Sequence, residues 1–215
     1  PRHRACAATS PPCLSRTAPP DVHRLMTRTA KDSSTTFHPR VSISRSGMRA
    51  VIQRVKSASV TVDGAVVSSI GQGLMVLIGI GADDTEDDTQ YVAGKCLRAR
   101  LFPGGDPPPE GSDSAKNWDG TKPWDRNVMD IDGEVLFVSQ FTLHGYFKGN
   151  KPDFHHAMGP TDARKLYSEL LTYAREKVYV GNGTRIKDGI FGAKMDVALV
   201  NDGPVTLLLD SRERK

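Results

Sequence analysis

Val197-Ala-Leu-Val-Asn-Asp-Gly-Pro-Val-Thr-Leu-Leu-Leu209 consists of two apolar runs separated by Asn201-Asp-Gly-Pro204. Proline donates no hydrogen bond to a ladder and is kept out of central strands. X–Pro is also the linkage in which a cis peptide costs only about 0.5–1 kcal/mol. Two readings are open. One is a plain β-turn between strands Met195–Val200 and Val205–Leu209. The other is a rigid polar protrusion of main chain, with a cis Gly203–Pro204 bond turning two carbonyls outward.

Upstream, Glu134-Val-Leu-Phe-Val-Ser-Gln-Phe-Thr-Leu-His144 reads as an apolar strand ending in hydroxyl and amide side chains. Before it, Val128–Ile131 reads as a strand turning at Asp132-Gly133. Ala50–Val55 and Ser57–Val62 alternate as strands, and Asp63-Gly64 is a hairpin signal leading into Ala65–Ile70. Leu74–Ile80 is a continuous apolar run of the kind found in buried strands. Asp83–Asp88 places acids at a helix start, and Tyr91, Val92, Cys96, Leu97 and Leu101 then recur at helical spacing. A second helix carries Ala163, Leu166, Leu170, Tyr173 and Ala174, with Thr161 or Asp162 as its cap. A short strand is expected at Thr184–Ile186. Gly104–Asp125 is rich in Pro, Gly and Asp without periodicity and reads as a loop.

The chain's 215 residues carry a net charge of +4, but that charge is unevenly placed. Residues 1–47 hold seven Arg and one Lys against Asp21 and Asp32, a balance of +6, so residues 48–215 stand at −2. Composition alone therefore does not announce a nucleic-acid binder; an RNA contact needs a local patch such as Lys148, Lys151, Arg185, Lys187 and Lys194. Residues 1–47 are rich in Ser, Thr, Pro and Arg, too poor in apolar surface to offset ordering entropy, and are expected to be disordered. They also have the composition of an organelle transit peptide. Because the chain begins at Pro1, an upstream stretch not normally translated is the other reading, with Met26 or Met48 as the start. The domain is placed at 48–215. No apolar run approaches the ~20 residues of a membrane span. Cys96, alone in the domain, is expected to be a buried structural thiol in a reducing compartment. The cytoplasm is expected, or a mitochondrion or plastid if residues 1–47 are a transit peptide.

Several chemistries find no motif: no G-x-S-x-G elbow, no H-E-x-x-H, and no phosphate-binding G-x-x-x-x-G-K-[ST] loop. Gly71-Gln-Gly73 and Gly79-Ile-Gly81 lack the third glycine of a dinucleotide fingerprint. His155-His156 lacks companion ligands, so neither a metal nor another cofactor is expected. What remains is a pocket of hydroxyl and amide groups, from Ser139, Gln140 and Thr142 on one strand and Thr206 on another. Without a neighbouring base a Ser or Thr hydroxyl is a poor nucleophile. Backbone N–H groups around Gln140 and Phe141 are better suited to cradling an oxyanion, although Ser139 and Thr142 serve equally well to satisfy local backbone groups.

Ser139-Gln-Phe-Thr-Leu143 and Asn201-Asp-Gly-Pro-Val-Thr206 together resemble the two signature motifs of the D-aminoacyl-tRNA deacylases. The resemblance extends through Met48-Arg-Ala-Val-Ile-Gln-Arg-Val55, Gly149-Asn-Lys-Pro-Asp-Phe154 and Lys187-Asp-Gly-Ile-Phe-Gly-Ala193 to residues 48–215. It implies a mixed α/β fold of two packed β-sheets with two helices covering one of them. It implies a homodimer, without metal or nucleotide, that hydrolyses the ester joining a D-amino acid or glycine to the 3′-terminal adenosine of tRNA, a proofreading step in translation. Ser139, Gln140, Phe141, Thr142 and Thr206 would be catalytic. Gly203 and Pro204, as a cis pair, would enter the partner's pocket as a chirality gate. Phe191 and Gly192 would bind the adenosine; apart from the resemblance, Lys148 and Lys151 of the basic patch are expected as further substrate contacts. Either Thr142 is the nucleophile or the substrate's 2′-OH directs water; the lack of a base beside Thr142 favours the second. The insertion at 104–125 and Asn127, where a small hydroxyl residue is usual, depart from the pattern outside the motifs. Rival readings are a nucleic-acid-binding protein without hydrolysis and a hydrolase of small esters.

Overall fold

The computed structural model describes residues 47–105 and 122–214. The expectations for residues 1–46, including disorder and a transit peptide, lie outside the described residues, as does most of the 104–125 insertion.

Ten strands and two α-helices are described, in the order β1 (Arg49–Val62), β2 (Ala65–Ile70), β3 (Gly73–Gly79), α1 (Glu86–Arg98), β4 (Phe102–Gly104), β5 (Lys122–Arg126), β6 (Glu134–Ser139), β7 (Tyr146–Lys148), β8 (Lys151–Asp153), α2 (Pro160–Tyr173), β9 (Ile186–Asp188) and β10 (Asp196–Asp210). Six strands form one sheet in the order β10-β1-β3-β6-β9, with β2 also paired to β1. The pairs β3–β6 and β6–β9 are parallel, which requires crossovers. α1 lies on the first connection and α2 on the second.

Strand alternation sends side chains to two cores. Ala50, Ile52, Leu74, Val76, Ile78, Val135 and Phe137 pack with Val92, Cys96 and Leu97 of α1 and Tyr167 and Leu170 of α2. Met75, Leu136 and Val138 face the other way and pack with Val55, Ala58 and Val60 of β1 and Ile70 of β2. The fold is thus the expected mixed α/β arrangement with two helices over one face. Its two β-layers are halves of one strongly bent sheet, because β1 runs unbroken from the first layer into the second where two strands were expected. Cys96 is fully buried, and burial pushes its thiol up to about 12, as suits a structural residue.

Some local expectations give way to tertiary pairing. Val128–Ile131 is a turn, not a strand: the Asn127 side-chain oxygen accepts from the N–H groups of Met129 (2.8 Å) and Asp130 (3.0 Å). The two ends of the presumed 104–125 loop pair as β4 and β5. The second helix begins earlier than expected, with Gly159 as its cap and Pro160 in its first turn, where a missing N–H costs nothing. The strand expected at Thr184–Ile186 lies at Ile186–Asp188.

The stretch at 197–209 is the largest difference. It forms one strand, β10, antiparallel to β1, and not two strands around a turn. Gln53 pairs with Thr206 and Val55 with Asn201, so Asp202, Gly203, Pro204 and Val205 stand opposite the single residue Arg54. The surplus is extruded as a bulge, and proline is tolerated there because no ladder bond is demanded of it. Gly203 adopts φ +68°, and no peptide bond among the described residues is cis, so the expected cis Gly203–Pro204 bond is corrected to trans. Beyond it, Ser211 donates to Asp88 of α1 at 2.7 Å and Arg214 pairs with Asp87 at 2.7 Å, tying down the end of β10.

Candidate active site

At the C-terminal ends of β3 and β6 a cleft of about 620 Å³ opens between the sheet, the start of α2 and the segment leading into β10. Apolar groups make most of its wall: Ile78 and Val138 on the sheet, Phe154, Met158, Ala163 and Phe191 opposite. Its polar edge is Ser139 and Gln140, followed by Phe141. No acid, base or imidazole side chain lines it among the described residues.

β6 ends at Ser139, and Phe141–His144 turns into a 3₁₀ helix where the strand was expected to continue to Leu143. Two donors are rearranged by this turn. The Gln140 N–H donates to the Ile78 carbonyl at 2.7 Å, extending the β3–β6 ladder, so it is not free to cradle an oxyanion as expected. In a 3₁₀ turn the first two N–H groups have no carbonyl within the turn. Those belong to Phe141 and Thr142. The Thr142 hydroxyl accepts a short hydrogen bond from the Gln140 side-chain amide.

Phe191 is held from α2. The Arg164 guanidinium lies 4.8 Å from its ring centre and donates to the Phe191 carbonyl at 3.3 Å, while the Tyr167 ring centre stands 5.7 Å away. Phe154 packs edge-on against Phe141 at 5.1 Å. Of the expected site residues, Ser139, Gln140, Phe141, Phe191 and Gly192 therefore meet in one cleft. Thr142 sits beside it. Thr206 does not line it: paired with Gln53 in β10, it is exposed. Gly203 and Pro204 are exposed as well. Val197, six residues earlier in β10, lines the cleft, whereas no residue of the bulge does.

Lys148 and Lys151 face each other across the β7–β8 hairpin and line a separate groove of about 540 Å³. Two of the other basic residues expected in a patch are neutralised, Lys187 by Glu134 at 2.7 Å and Arg185 by Asp132.

Sequence reasoning overlooked Arg54, which braces the bulge. Its Nε donates to the Asp202 carbonyl at 3.1 Å and pairs with the Asp202 carboxylate at 3.3 Å, and its Nη1 donates to the Leu101 carbonyl at 2.6 Å. Nothing in a lone arginine on an alternating strand signals a partner 148 residues away. Phe154 was also overlooked as a wall, although it lies in a segment that carried the family resemblance.

His144, in the same turn as Thr142, is buried, and the Gly79 backbone beside it only partly offsets that burial. Burial, reinforced by the Arg49 charge, holds its pKa below the ordinary 6.5. Between the folded and unfolded values the unfolded chain binds more protons. Stability is therefore complete above pH 6.5 and declines as the pH falls through the folded value. The urea midpoint should drop between pH 7.5 and pH 5.5 by more in the wild type than in His144→Leu, whose other titrating groups are the same. Equal drops would contradict this account.

A family model described as D-Tyr-tRNA(Tyr) deacylase matches residues 51–210. A D-aminoacyl-tRNA deacylase of Dictyostelium discoideum is 52% identical over 167 residues, covering 78% of this chain and all of that protein. The D-aminoacyl-tRNA deacylase 1 of Leishmania major is 49% identical over 172 residues, covering 78% and 99%. A solved structure titled c-Myc DNA Unwinding Element Binding Protein superposes with a TM-score of 0.63 at 43% identity, covering 75% of this chain and 97% of that one. With the family model spanning the sheet, both helices and every residue of the cleft, the chain belongs to the D-Tyr-tRNA(Tyr) deacylase family.

Proposed function

We propose that the protein hydrolyses the ester between a D-amino acid and the 3′-terminal adenosine of tRNA, releasing free tRNA and the D-amino acid as a proofreading step in translation. The observation that carries this reading is a cleft with apolar walls and an amide-rich edge but no titrating side chain. Such a site has little means of making a strong nucleophile from a protein hydroxyl. It is suited to holding an ester whose own ribose provides a polar group. Water, directed by the 2′-OH, adds to the ester carbonyl. The N–H groups of Phe141 and Thr142 stabilise the oxyanion. The C–O bond to the ribose 3′-oxygen then breaks, that oxygen takes one of the water's protons, the other passes to solvent, and the amino acid departs as its carboxylate. Phe191 offers the adenine an aromatic face, with Gly192 leaving room beside it. Glycine, lacking a side chain, passes the same test as a D-residue, so mischarged glycyl-tRNA is a second substrate.

The working unit is a homodimer. β10 is a 15-residue edge strand, and it exposes Val197, Val200, Leu207 and Leu208. A long apolar edge of this kind needs a partner, and a second copy supplies a self-complementary one. Docking there delivers the Gly203–Pro204 bulge to the neighbour's cleft, where its main chain excludes L-amino acids. Residues 48–215 form the catalytic domain, residues 1–47 a basic extension, and the site of action is the cytoplasm.

The direct test is incubation with matched D- and L-Tyr-tRNA while release of tyrosine is followed. Thr142→Ala should slow turnover only a few-fold, since its hydroxyl is engaged by Gln140 and lacks a base. Complete loss of turnover in a folded, tRNA-binding Thr142→Ala protein would establish a covalent route instead.

A further inference from the structure

We infer that Trp124 is a positioning residue: through it, the ribbon formed by β4 and β5 holds the Arg54 guanidinium, and with it the Gly203–Pro204 bulge, in one place. On the reading of the bulge as a chirality gate, on which this rests, Trp124 sets how strictly L-amino acids are rejected. A gate made of main chain discriminates only while its carbonyls stay fixed. Asp202, Gly203, Pro204 and Val205 have no partner in the register with β1, so the ladder does not fix them. Arg54 reaches them from the side. Its Nε donates to the Asp202 carbonyl, and its Nη2 lies 3.7 Å from where a Cβ on Gly203 would stand. Its Nη1 donates to the Leu101 carbonyl, directly before β4. The bulge thus takes its position from a guanidinium that is itself attached to the ribbon.

Trp124 is the ribbon's second hold on that guanidinium. Its ring centre is 6.0 Å from the Arg54 Cζ, within the range at which an arginine is attracted to an indole face. Two backbone features put the ring there. Phe102 pairs with Arg126 and Gly104 with Lys122, so Pro123, Trp124 and Asp125 stand opposite the single residue Pro103. A bulge of this kind re-aims a side chain. Trp124 itself adopts φ +60°, a left-handed conformation that bulky residues rarely take and that persists only where the surroundings hold it. Here Lys122 pairs with Asp125 at 2.9 Å on either side of it, and Phe102 is buried in the same core as α1 and α2. The ring is nevertheless 54% exposed, so packing does not account for it. What it does contact is the side chain that braces the bulge. Covering one side of the guanidinium limits both the swing of Arg54 and the water competing for its bonds to Asp202 and Leu101. The ribbon also carries the 104–125 insertion, which this assignment ties to selectivity and not to the reaction itself.

Kinetics and hydrogen exchange on the full-length protein test the inference. Trp124→Leu should raise kcat/KM for L-Tyr-tRNA about fivefold, the scale of an arginine–indole contact, and leave that for D-Tyr-tRNA within about twofold. Trp124→Phe keeps an aromatic face and should restore most of the rejection. Trp124→Gly accepts φ +60° without strain. It should lose rejection as the leucine variant does, with a thermal midpoint within about 3 °C of the wild type. A purely structural tryptophan would instead give a lower midpoint and equal losses on both substrates. Exchange of the Gly203 and Val205 amides, followed by NMR, should quicken about fivefold in Trp124→Leu, without a matching change in the β3 and β6 amides. Unchanged exchange at the bulge would overturn the inference, as would a D-to-L ratio that falls in Gly203→Ala but ignores Trp124. Faster exchange at the bulge, in a protein whose ratio responds to neither Trp124→Leu nor Gly203→Ala, would uphold the bracing and refute the gate, which separates the two claims.

Discussion

D-Tyr-tRNA should be hydrolysed several hundredfold faster than L-Tyr-tRNA at matched concentrations. Such a ratio needs about 3.5–4 kcal/mol of differential transition-state binding, at 1.36 kcal/mol per tenfold. The cleft of one protomer is ill-equipped to supply it. Its walls are apolar, and an apolar pocket discriminates by shape only about 10–200-fold. Chirality adds a further demand, because the two enantiomers place the same side chain on opposite sides of the α-carbon. A polar, immobile surface on one side meets that demand, since burying its unpaired carbonyls against an alkyl or aryl group costs free energy as well as space. The bulge at 202–205 is the surface proposed for this role. It is main chain, it is braced by Arg54, and it carries Gly203 and Pro204 in the open. Comparable rates on the two enantiomers would end this reading.

Leu208→Asp should convert the proposed dimer to monomers and cut the preference for D-Tyr-tRNA over L-Tyr-tRNA at least tenfold. Leu208 is 83% exposed in the single protomer, so the substitution removes no core contact and the folded protomer should survive it. Surface changes of that kind ordinarily stay within ±0.5 kcal/mol. At the proposed two-fold interface, however, the carboxylate is introduced twice into an edge strand that also exposes Val197, Val200 and Leu207. Selectivity falls with the dimer because the bulge does not line the cleft of its own protomer, so a monomer has a substrate cleft without a gate. Sedimentation velocity and deacylation, measured on the same preparation, decide the matter. A monomeric Leu208→Asp protein with full, D-selective activity would show that the gate is local. A dimeric one would place the interface elsewhere.

What the sequence determined by itself is what depends on neighbours along the chain. The continuous apolar runs at Leu74–Ile80 and from Glu134 marked buried strands, and helical spacing around Cys96 and Leu170 marked two helices; which side chains face which core came from the structure. The run Ser139-Gln-Phe141 was legible as the polar edge of a site because hydroxyl and amide groups at the end of an apolar strand have few other uses. Tertiary structure decided whatever depends on pairings between distant segments. That β1 is one strand and not two, and that Asn201–Thr206 is a bulge with a trans Gly203–Pro204 bond, both follow from a register shift between strands some 150 residues apart. The ladder also decided which N–H groups are free: pairing of β3 with β6 takes the Gln140 donor and leaves those of Phe141 and Thr142. Thr206 shows the same division most plainly. Its place in the motif marked it for the pocket, but the period-two geometry of a strand paired to Gln53 leaves it exposed, away from the cleft of its own protomer. Local chemistry names the groups that can act, and long-range register decides which of them meet.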